Sequence, residues 1–115
     1  MNSTIACYLT AGKLHVPTTH VEAGLRSFDK TMPKEINSIL TDAMADYLYV
    51  SERSGLTNLK NEGASENKVF FVGNTMIDSL ITFLPKTKPS KILPELNLNP
   101  QNFILVTLHR PSNVE

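Results

Sequence analysis

The chain has 115 residues, of which 41% are hydrophobic, and eleven acidic residues balance eleven basic ones. This size and composition fit a small globular unit with a buried core, and the lack of a basic patch argues against nucleic acid as a partner. No stretch reaches the roughly 18 apolar residues of a membrane span, and the N-terminus lacks the pattern of a secretory signal, so we expect a cytoplasmic protein without membrane contact.

Cysteine and histidine are too scarce for a disulfide or a zinc centre. Cys7 is the only cysteine, so no internal disulfide can form, and the three histidines are scattered. The apolar run around Cys7 predicts a buried structural thiol. The chain also lacks the glycine-rich patterns of dinucleotide and P-loop sites. We therefore expect no metal and no cofactor.

Helical and strand patterns alternate along the first 84 residues. The predicted elements are, in chain order, a helix over 3–14, a strand over 18–22, a helix over 33–45, a strand over 47–50, a helix between Ser51 as N-cap and Gly63, a strand over 68–72, and a helix that Asn74 or Thr75 caps. This alternation predicts an α/β fold in which helices flank a parallel sheet.

The second predicted helix carries its apolar residues on one face. They are Ile36, Ile39, Leu40 and Ala43, and their spacing is typical of a helix that covers a sheet. We therefore expect this stripe to be the buried side of the helix.

The composition changes after residue 84. Four prolines fall between Pro85 and Pro100 among polar residues, which predicts a linker over 85–101. Residues 102–107 then predict a further buried strand. Because the chain opens on a helix with no strand before it and ends just after a strand, we expect it to be a fragment of something larger.

Three groups of charged side chains lie at the carboxyl ends of predicted strands, where open α/β folds bind their ligands. They are Glu22 with Arg26, Glu35 with its neighbours in the loop before the second helix (Asp29, Lys30 and Lys34), and His109 with Arg110. Each group also has a purely structural interpretation. Glu22 could cap a strand and pair with Arg26, Glu35 could complement the helix dipole, and His109 could be a polar turn residue.

Five segments together are more specific than any single motif. They read HVEAGLRSFDKTMPKEIN (20–37), LTDAMADYLYVSE (40–52), NLKNEG (58–63), VFFVGNTMIDSL (69–80) and ILVTLHRPSNVE (104–115). In order and spacing they resemble the non-hydrolysing UDP-N-acetylglucosamine 2-epimerases, over essentially the whole chain. The resemblance implies a Rossmann-like parallel sheet within a two-domain GT-B fold, with the nucleotide sugar bound between the domains.

The resemblance also implies that the chain is the middle of such an enzyme. Residues 1–84 would form the C-terminal half of the N-terminal Rossmann-like domain, and 85–101 would form the inter-domain linker. Residues 102–115 would hold the first strand of the C-terminal Rossmann-like domain. The implied partner is UDP-N-acetylglucosamine, and full-length members are expected to be homodimers.

The family's reaction implies roles for individual residues. These enzymes eliminate UDP anti across C1 and C2 to form 2-acetamidoglucal, then add UDP back after protonation from the other face. This inversion needs acid/base groups on both faces of C2. By motif match, Glu22 is one of these carboxylates and His109 faces the leaving UDP, while Arg26, Glu35 and Arg110 would contact the substrate.

Two positions depart from the family pattern. The family usually has Pro-Glu-Glu-x-Asn-Arg, and this chain has Pro33-Lys-Glu-Ile-Asn-Ser38. Lys34 places a positive charge where the pattern has a catalytic carboxylate, and Ser38 removes a positive charge. Glu35 lies one residue further on, about 100° round the helix, so it does not inherit the role of the missing carboxylate.

The leading hypothesis is a fragment of a UDP-N-acetylglucosamine 2-epimerase that interconverts UDP-GlcNAc and UDP-ManNAc for cell-envelope polysaccharide synthesis. We expect the isolated chain to be inactive, because half of the cleft is missing. The alternatives are a non-catalytic remnant, a hydrolysing epimerase, and a GT-B glycosyltransferase.

Overall fold

Five α-helices and three strands make up the described part of the chain, which in this computed structural model covers residues 2–107. The helices are α1 (Asn2–Lys13), α2 (Pro33–Met44), α3 (Arg53–Asn61), α4 (Thr75–Phe83) and α5 (Ile92–Glu95). The strands are β1 (Thr19–Val21), β2 (Tyr47–Val50) and β3 (Val69–Phe71), and 3₁₀ turns cover Glu66–Lys68 and Leu84–Thr87. The chain divides into two compact units between Asp78 and Ser79.

The three strands form one parallel sheet in sequence order, β1-β2-β3. Leu48 in the central strand lies opposite His20 on one side and Val69 on the other. α2 connects β1 to β2, and α3 connects β2 to β3. The predicted α/β class is therefore confirmed, and each predicted element up to Phe83 is present with ends that differ by one or two residues.

The core of the first unit lies on one face of the sheet. Leu48 and Val50 of β2 are fully buried there, and Leu59 of α3 packs with them. The alternate residues of β2 face the opposite side, because successive strand residues point to opposite faces. There the rings of Tyr47 and Tyr49 lie 6.3 and 5.6 Å from the ring of Phe70.

α2 buries its polar side rather than its apolar stripe, so the prediction for this helix was wrong. Its buried residues are Glu35, Thr41 and Asp42. Ile36 and Leu40 of the stripe are instead 48% and 45% exposed. The physical reason is that the carboxylates of Glu35 and Asp42 accept hydrogen bonds from the loop after β1. To reach this loop, both carboxylates lie on the inner, buried face of α2.

Two local predictions were also wrong, and one was confirmed. Cys7 is exposed on α1 rather than buried, because α1 uses the face that carries Tyr8 for packing on the core. The N-cap of α3 is Glu52 rather than Ser51. Asn74 caps α4 as predicted, since its side-chain oxygen accepts a hydrogen bond from the Met76 N–H at 2.9 Å.

The buried strand predicted over residues 102–107 is not formed. These residues are irregular, and Ile104 and Leu105 are 87% and 83% exposed. A parallel strand needs a neighbour to pair its N–H and C=O groups, and no strand among residues 2–107 pairs with this segment. In the described range, no helix has the length and apolar character needed to cross a membrane.

Two glycines let the turn after β1 lie directly on α3. Gly24 has φ +78°, and a Cβ added to it would meet the Gly55 carbonyl oxygen at 2.5 Å. A Cβ on Gly55 would lie 2.8 Å from a Val50 methyl carbon and 2.9 Å from the Ala23 carbonyl oxygen. All three distances are too short for a side chain, so this contact requires glycine on both sides.

Gly55 lies in this contact and Gly12 does not, so replacing each by alanine should change stability in opposite directions. Gly55→Ala should lower the free energy of unfolding by about 1–3 kcal/mol, because the added methyl overpacks the contact. Gly12→Ala in α1 is the matched control, since a Cβ there meets nothing within 4 Å, and it should raise the free energy of unfolding by about 0.5–1 kcal/mol. Urea unfolding followed by circular dichroism measures both. Equal effects of the two substitutions would contradict the contact.

Candidate functional site

Glu22 directly follows β1 and has an uncommon backbone conformation. Its φ is +64°, in the left-handed region, which costs a residue with a side chain about 1–2 kcal/mol. The residue is half-buried, and its carboxylate has no hydrogen-bond or ion-pair partner within residues 2–107. Strained residues of this kind cluster at functional sites. The geometry therefore leaves this carboxylate available to a ligand at the end of the sheet where ligands bind.

The backbone that follows Glu22 is fixed by three different elements. The Ala23 N–H donates to the Tyr49 carbonyl of β2 at 3.0 Å. The Gly24 N–H donates to an Asp42 carboxylate oxygen of α2 at 3.0 Å, and the Gly24 carbonyl accepts from the Asn58 side chain of α3 at 2.9 Å. The turn over residues 22–24 is thus hydrogen-bonded to β2 of the sheet and to the helices α2 and α3.

Asp42 is the centre of the charged network around this turn. Besides Gly24, its carboxylate contacts His20 Nδ1 and accepts a hydrogen bond from the Arg26 guanidinium at 2.7 Å. Only 3% of the Asp42 side chain is exposed. Burial acts to raise its pKa, but the hydrogen bonds from His20, Arg26 and Gly24 outweigh burial, and the pKa of Asp42 lies below its ordinary value.

Arg26 is buried and binds two carboxylates. Its guanidinium donates to both oxygens of Glu62 through Nε and Nη2, at 2.8 and 2.6 Å, and to Asp42. The remaining terminal nitrogen donates to the Leu25 carbonyl at 2.9 Å. Burial acts to lower the pKa of Arg26, but hydrogen bonds to Glu62 and Asp42 outweigh it and hold this pKa above its usual range. Arg26 therefore pairs with Asp42 and Glu62, and its role toward a substrate stays a prediction.

Glu35 holds the loop that leads away from the turn. Its carboxylate accepts hydrogen bonds from the Ser27 N–H and hydroxyl, both at 2.8 Å, and from the Phe28 N–H at 3.2 Å. The residue is 5% exposed. Burial acts to raise its pKa, but the bonds from Ser27 and Phe28 and the charge of Arg26 lower the pKa of Glu35 overall.

The other predicted site residues are not part of this network. Lys34 is exposed in the first turn of α2, and Ser38 is half-buried one turn further on. His109 and Arg110 lie outside the described residues. No cluster of three or more His, Cys, Asp or Glu residues in the described range could hold a metal ion.

Sequence reasoning missed Asp42, Asn58 and Glu62. These residues lie 16–36 positions along the chain from the groups that they bind. One signal was available in the sequence. Asp42 is an acidic residue near the end of α2, the helix that follows β1, while His20 lies in β1 and Arg26 lies in the loop after it. The pairing itself depends on how α2 and α3 pack, which no local pattern specifies.

The fold and this geometry define a Rossmann-like α/β unit in which one carboxylate, that of Glu22, lies at the carboxyl ends of the strands without a partner in the described part of the chain. The sequence model of the UDP-N-acetylglucosamine 2-epimerase family matches residues 1–115. The chain therefore belongs to the UDP-N-acetylglucosamine 2-epimerases, a family of isomerases, as the motifs predicted.

Individual relatives agree with this membership. A UDP-N-acetylglucosamine 2-epimerase homolog of Methanococcus maripaludis is 47% identical over 99% of this chain. The UDP-2,3-diacetamido-2,3-dideoxy-D-glucuronate 2-epimerase of Pseudomonas aeruginosa is 46% identical over the same share. In both cases the chain spans only 32% of the relative's length.

A solved structure matches as well. The crystal structure of Methanocaldococcus jannaschii UDP-GlcNAc 2-epimerase in complex with UDP-GlcNAc and UDP superposes with a TM-score of 0.77 at 42% identity, over 84% of this chain and 26% of that one. Enzymes of this group have the GT-B fold, so the unit described above is one part of that architecture.

The burial of Arg26 predicts a large loss of stability when its side chain is removed. Arg26→Ala should lower the free energy of unfolding by about 3–5 kcal/mol, because it leaves a buried carboxylate without its partner. Lys60→Ala is the control, since Lys60 and Glu66 are 78% and 88% exposed and 4.0 Å apart, and it should change stability by less than about 1 kcal/mol. Urea unfolding at pH 7 measures both variants. A loss below about 1 kcal/mol for Arg26→Ala would contradict a buried network.

The lowered pKa values of Asp42 and Glu35 predict a loss of stability in acid. When the folded pKa lies below the unfolded one, the unfolded chain binds more protons, so stability is full above the unfolded value of about 4 and falls as pH drops through the folded value. Urea unfolding between pH 7 and pH 3 should show this fall. Glu35→Gln should make the pH dependence shallower, and a slope equal to that of the unaltered chain would count against the role of Glu35.

Proposed function

We propose that this chain is the acid/base-bearing part of an enzyme that inverts C2 of a UDP-linked N-acetylhexosamine, with UDP-N-acetylglucosamine as substrate and UDP-ManNAc as product. The observation that supports it best is the family match over residues 1–115, together with the left-handed backbone of Glu22, whose carboxylate has no partner within residues 2–107. The matches are to proteins named as UDP-sugar 2-epimerases, so the alternatives of a non-catalytic remnant, a hydrolysing epimerase and a GT-B glycosyltransferase are not favoured.

The proposed reaction gives Glu22 a proton-transfer role. The proton on C2 leaves to a base while the bond from C1 to the UDP oxygen breaks, which yields 2-acetamidoglucal and UDP. A proton then returns to the other face of C2, and UDP adds back at C1. A carboxylate on each face is suited to this sequence, and Glu22 would serve one of them. His109 and Arg110 would act at the UDP side, as the resemblance implies.

Lys34 occupies the position that the family pattern gives to the acid/base group for the second face of C2. It carries an ammonium group where the family pattern has a carboxylate, so it does not supply the carboxylate that the proton transfer on this face of C2 needs. Glu35 does not replace the missing carboxylate, because both of its oxygens accept hydrogen bonds from the loop at Ser27 and Phe28. We therefore infer that Lys34 lowers the rate of epimerisation in any enzyme that contains this chain.

A second substrate is supported by the Pseudomonas relative. That protein is named for a C2 epimerisation of a UDP-diacetamido-glucuronate, and it is nearly as similar to this chain as the Methanococcus relative. The two substrates share the C2 proton and the UDP leaving group and differ at C3 and C6. We keep the diacetamido-uronate as the second candidate substrate.

The biological setting is part of the proposal. We expect the full-length enzyme to be a cytoplasmic homodimer that supplies an activated sugar for polysaccharide synthesis.

The proposal is tested in a chimera in which residues 1–115 replace the corresponding third of the M. jannaschii enzyme. The Lys34→Glu chimera should convert UDP-GlcNAc to UDP-ManNAc, detected by proton NMR of the anomeric signals, and the Lys34 chimera should be at least about 100-fold slower, as expected for loss of an acid/base group. Adding Glu22→Gln to the Lys34→Glu chimera should lower kcat by a similar factor. The isolated chain should give no product.

Several outcomes would contradict parts of this proposal. Product formation by the isolated chain would contradict the expected inactivity, and equal rates with Lys34 and Lys34→Glu would remove Lys34 from the mechanism. Unchanged kcat in Glu22→Gln would remove Glu22. Turnover of the diacetamido-uronate but not of UDP-GlcNAc would reassign the substrate.

A further inference from the structure

We propose that Asp42 is a positioning residue that holds Glu22 in its left-handed conformation, through hydrogen bonds to the chain on both sides of it. The inference rests on the proposed function, because the position of Glu22 matters for catalysis only if Glu22 transfers a proton. Its structural part can be tested without any turnover.

The contacts of Asp42 surround Glu22 in sequence. One carboxylate oxygen contacts Nδ1 of His20, two residues before Glu22. The other accepts from the Gly24 N–H, two residues after it, and from the Arg26 guanidinium, four residues after it. A single side chain on α2 therefore binds the backbone or side chain of three residues within one seven-residue segment.

This arrangement accounts for how a strained residue persists. A left-handed conformation at a residue with a side chain is unfavourable unless the surroundings enforce it. The Gly24 N–H follows Glu22 closely, so fixing that N–H on a buried anion restricts the rotation about the Glu22 backbone. Asp42 is itself fixed, because its side chain is 3% exposed and Arg26, which is 1% exposed, pairs with it.

Glu62 and Glu35 do not hold the turn in this way. Among residues 2–107, the Glu62 carboxylate binds only the Arg26 guanidinium. Glu35 binds the backbone of Ser27 and Phe28, five and six residues beyond Glu22. Asn58 supports the Gly24 carbonyl, on the side of that residue away from Glu22. Asp42 is the carboxylate in the described network whose hydrogen bonds lie on both sides of Glu22.

The test is NMR spectroscopy of the isotope-labelled 115-residue chain and of two isosteric variants. Asp42→Asn should change the Glu22 three-bond HN–Hα coupling and carbon shifts away from left-handed values, and it should speed amide exchange at Gly24 at least about tenfold, as expected for a lost bond to a charged group. Asp46→Asn is the matched control, because Asp46 also binds a backbone N–H, that of Thr18 at 2.7 Å, and it should leave the Glu22 and Gly24 signals unchanged.

A second measurement requires no variant. A through-hydrogen-bond coupling between the Gly24 amide nitrogen and the Asp42 carboxyl carbon should be present in the unaltered chain. The inference is overturned if that coupling is absent, or if Asp42→Asn leaves Glu22 and Gly24 unchanged. It is also overturned if Asp42→Asn releases the core amides of Leu48 and Val50 to the same extent as Gly24, since Asp42 would then support the whole fold rather than the turn. Activity of the Glu22→Gln chimera tests the proposed function separately.

Discussion

The buried ion pair between Arg26 and Asp42 is the interaction on which the rest of the site depends. It joins the turn after β1 to the inner face of α2, and both side chains are almost fully excluded from solvent. A buried charge without a partner is strongly unfavourable, so each member fixes the other. The bonds from Asp42 to His20 and Gly24, and from Arg26 to Glu62, extend this pair into a network that spans β1, α2 and the end of α3.

This network explains why α2 is buried on its polar side. A helix in an α/β unit normally covers the sheet with apolar residues, but α2 places Glu35 and Asp42 inward, seven residues and about two turns apart. The two carboxylates bind the chain before and after Arg26, so the segment from His20 to Phe28 is held along its length. Apolar packing is left to Leu48, Val50 and Leu59, on the adjoining sheet and α3.

The sequence was sufficient for the order of the elements and not for how their side chains pair. Helix and strand periodicities, with Pro33 and Asn74 as local signals, predicted the α/β class because those signals depend on neighbouring residues. The inner face of α2 was predicted wrongly, because the apolar stripe is a local pattern and the binding of a loop by Asp42 is a tertiary one. The strand over residues 102–107 was predicted from a local apolar run, which does not provide a neighbouring strand for it to pair with. Its place as the first strand of the C-terminal domain, which the resemblance implies, stays a prediction.

The candidate site, too, was predicted from the sequence only in part. Glu22 was identified by its place after a strand and by family motifs, whereas its left-handed conformation and the role of Asp42 required the structure. A double-mutant cycle with Arg26→Ala, Asp42→Ala and the double variant tests the coupling of the turn to α2 most directly. Urea unfolding should give a coupling energy of about 2–3 kcal/mol between the two residues, since charges in one buried network do not contribute independently. Additive effects, with a coupling energy below about 0.5 kcal/mol, would contradict the pairing of Arg26 with Asp42 as the interaction that holds the site.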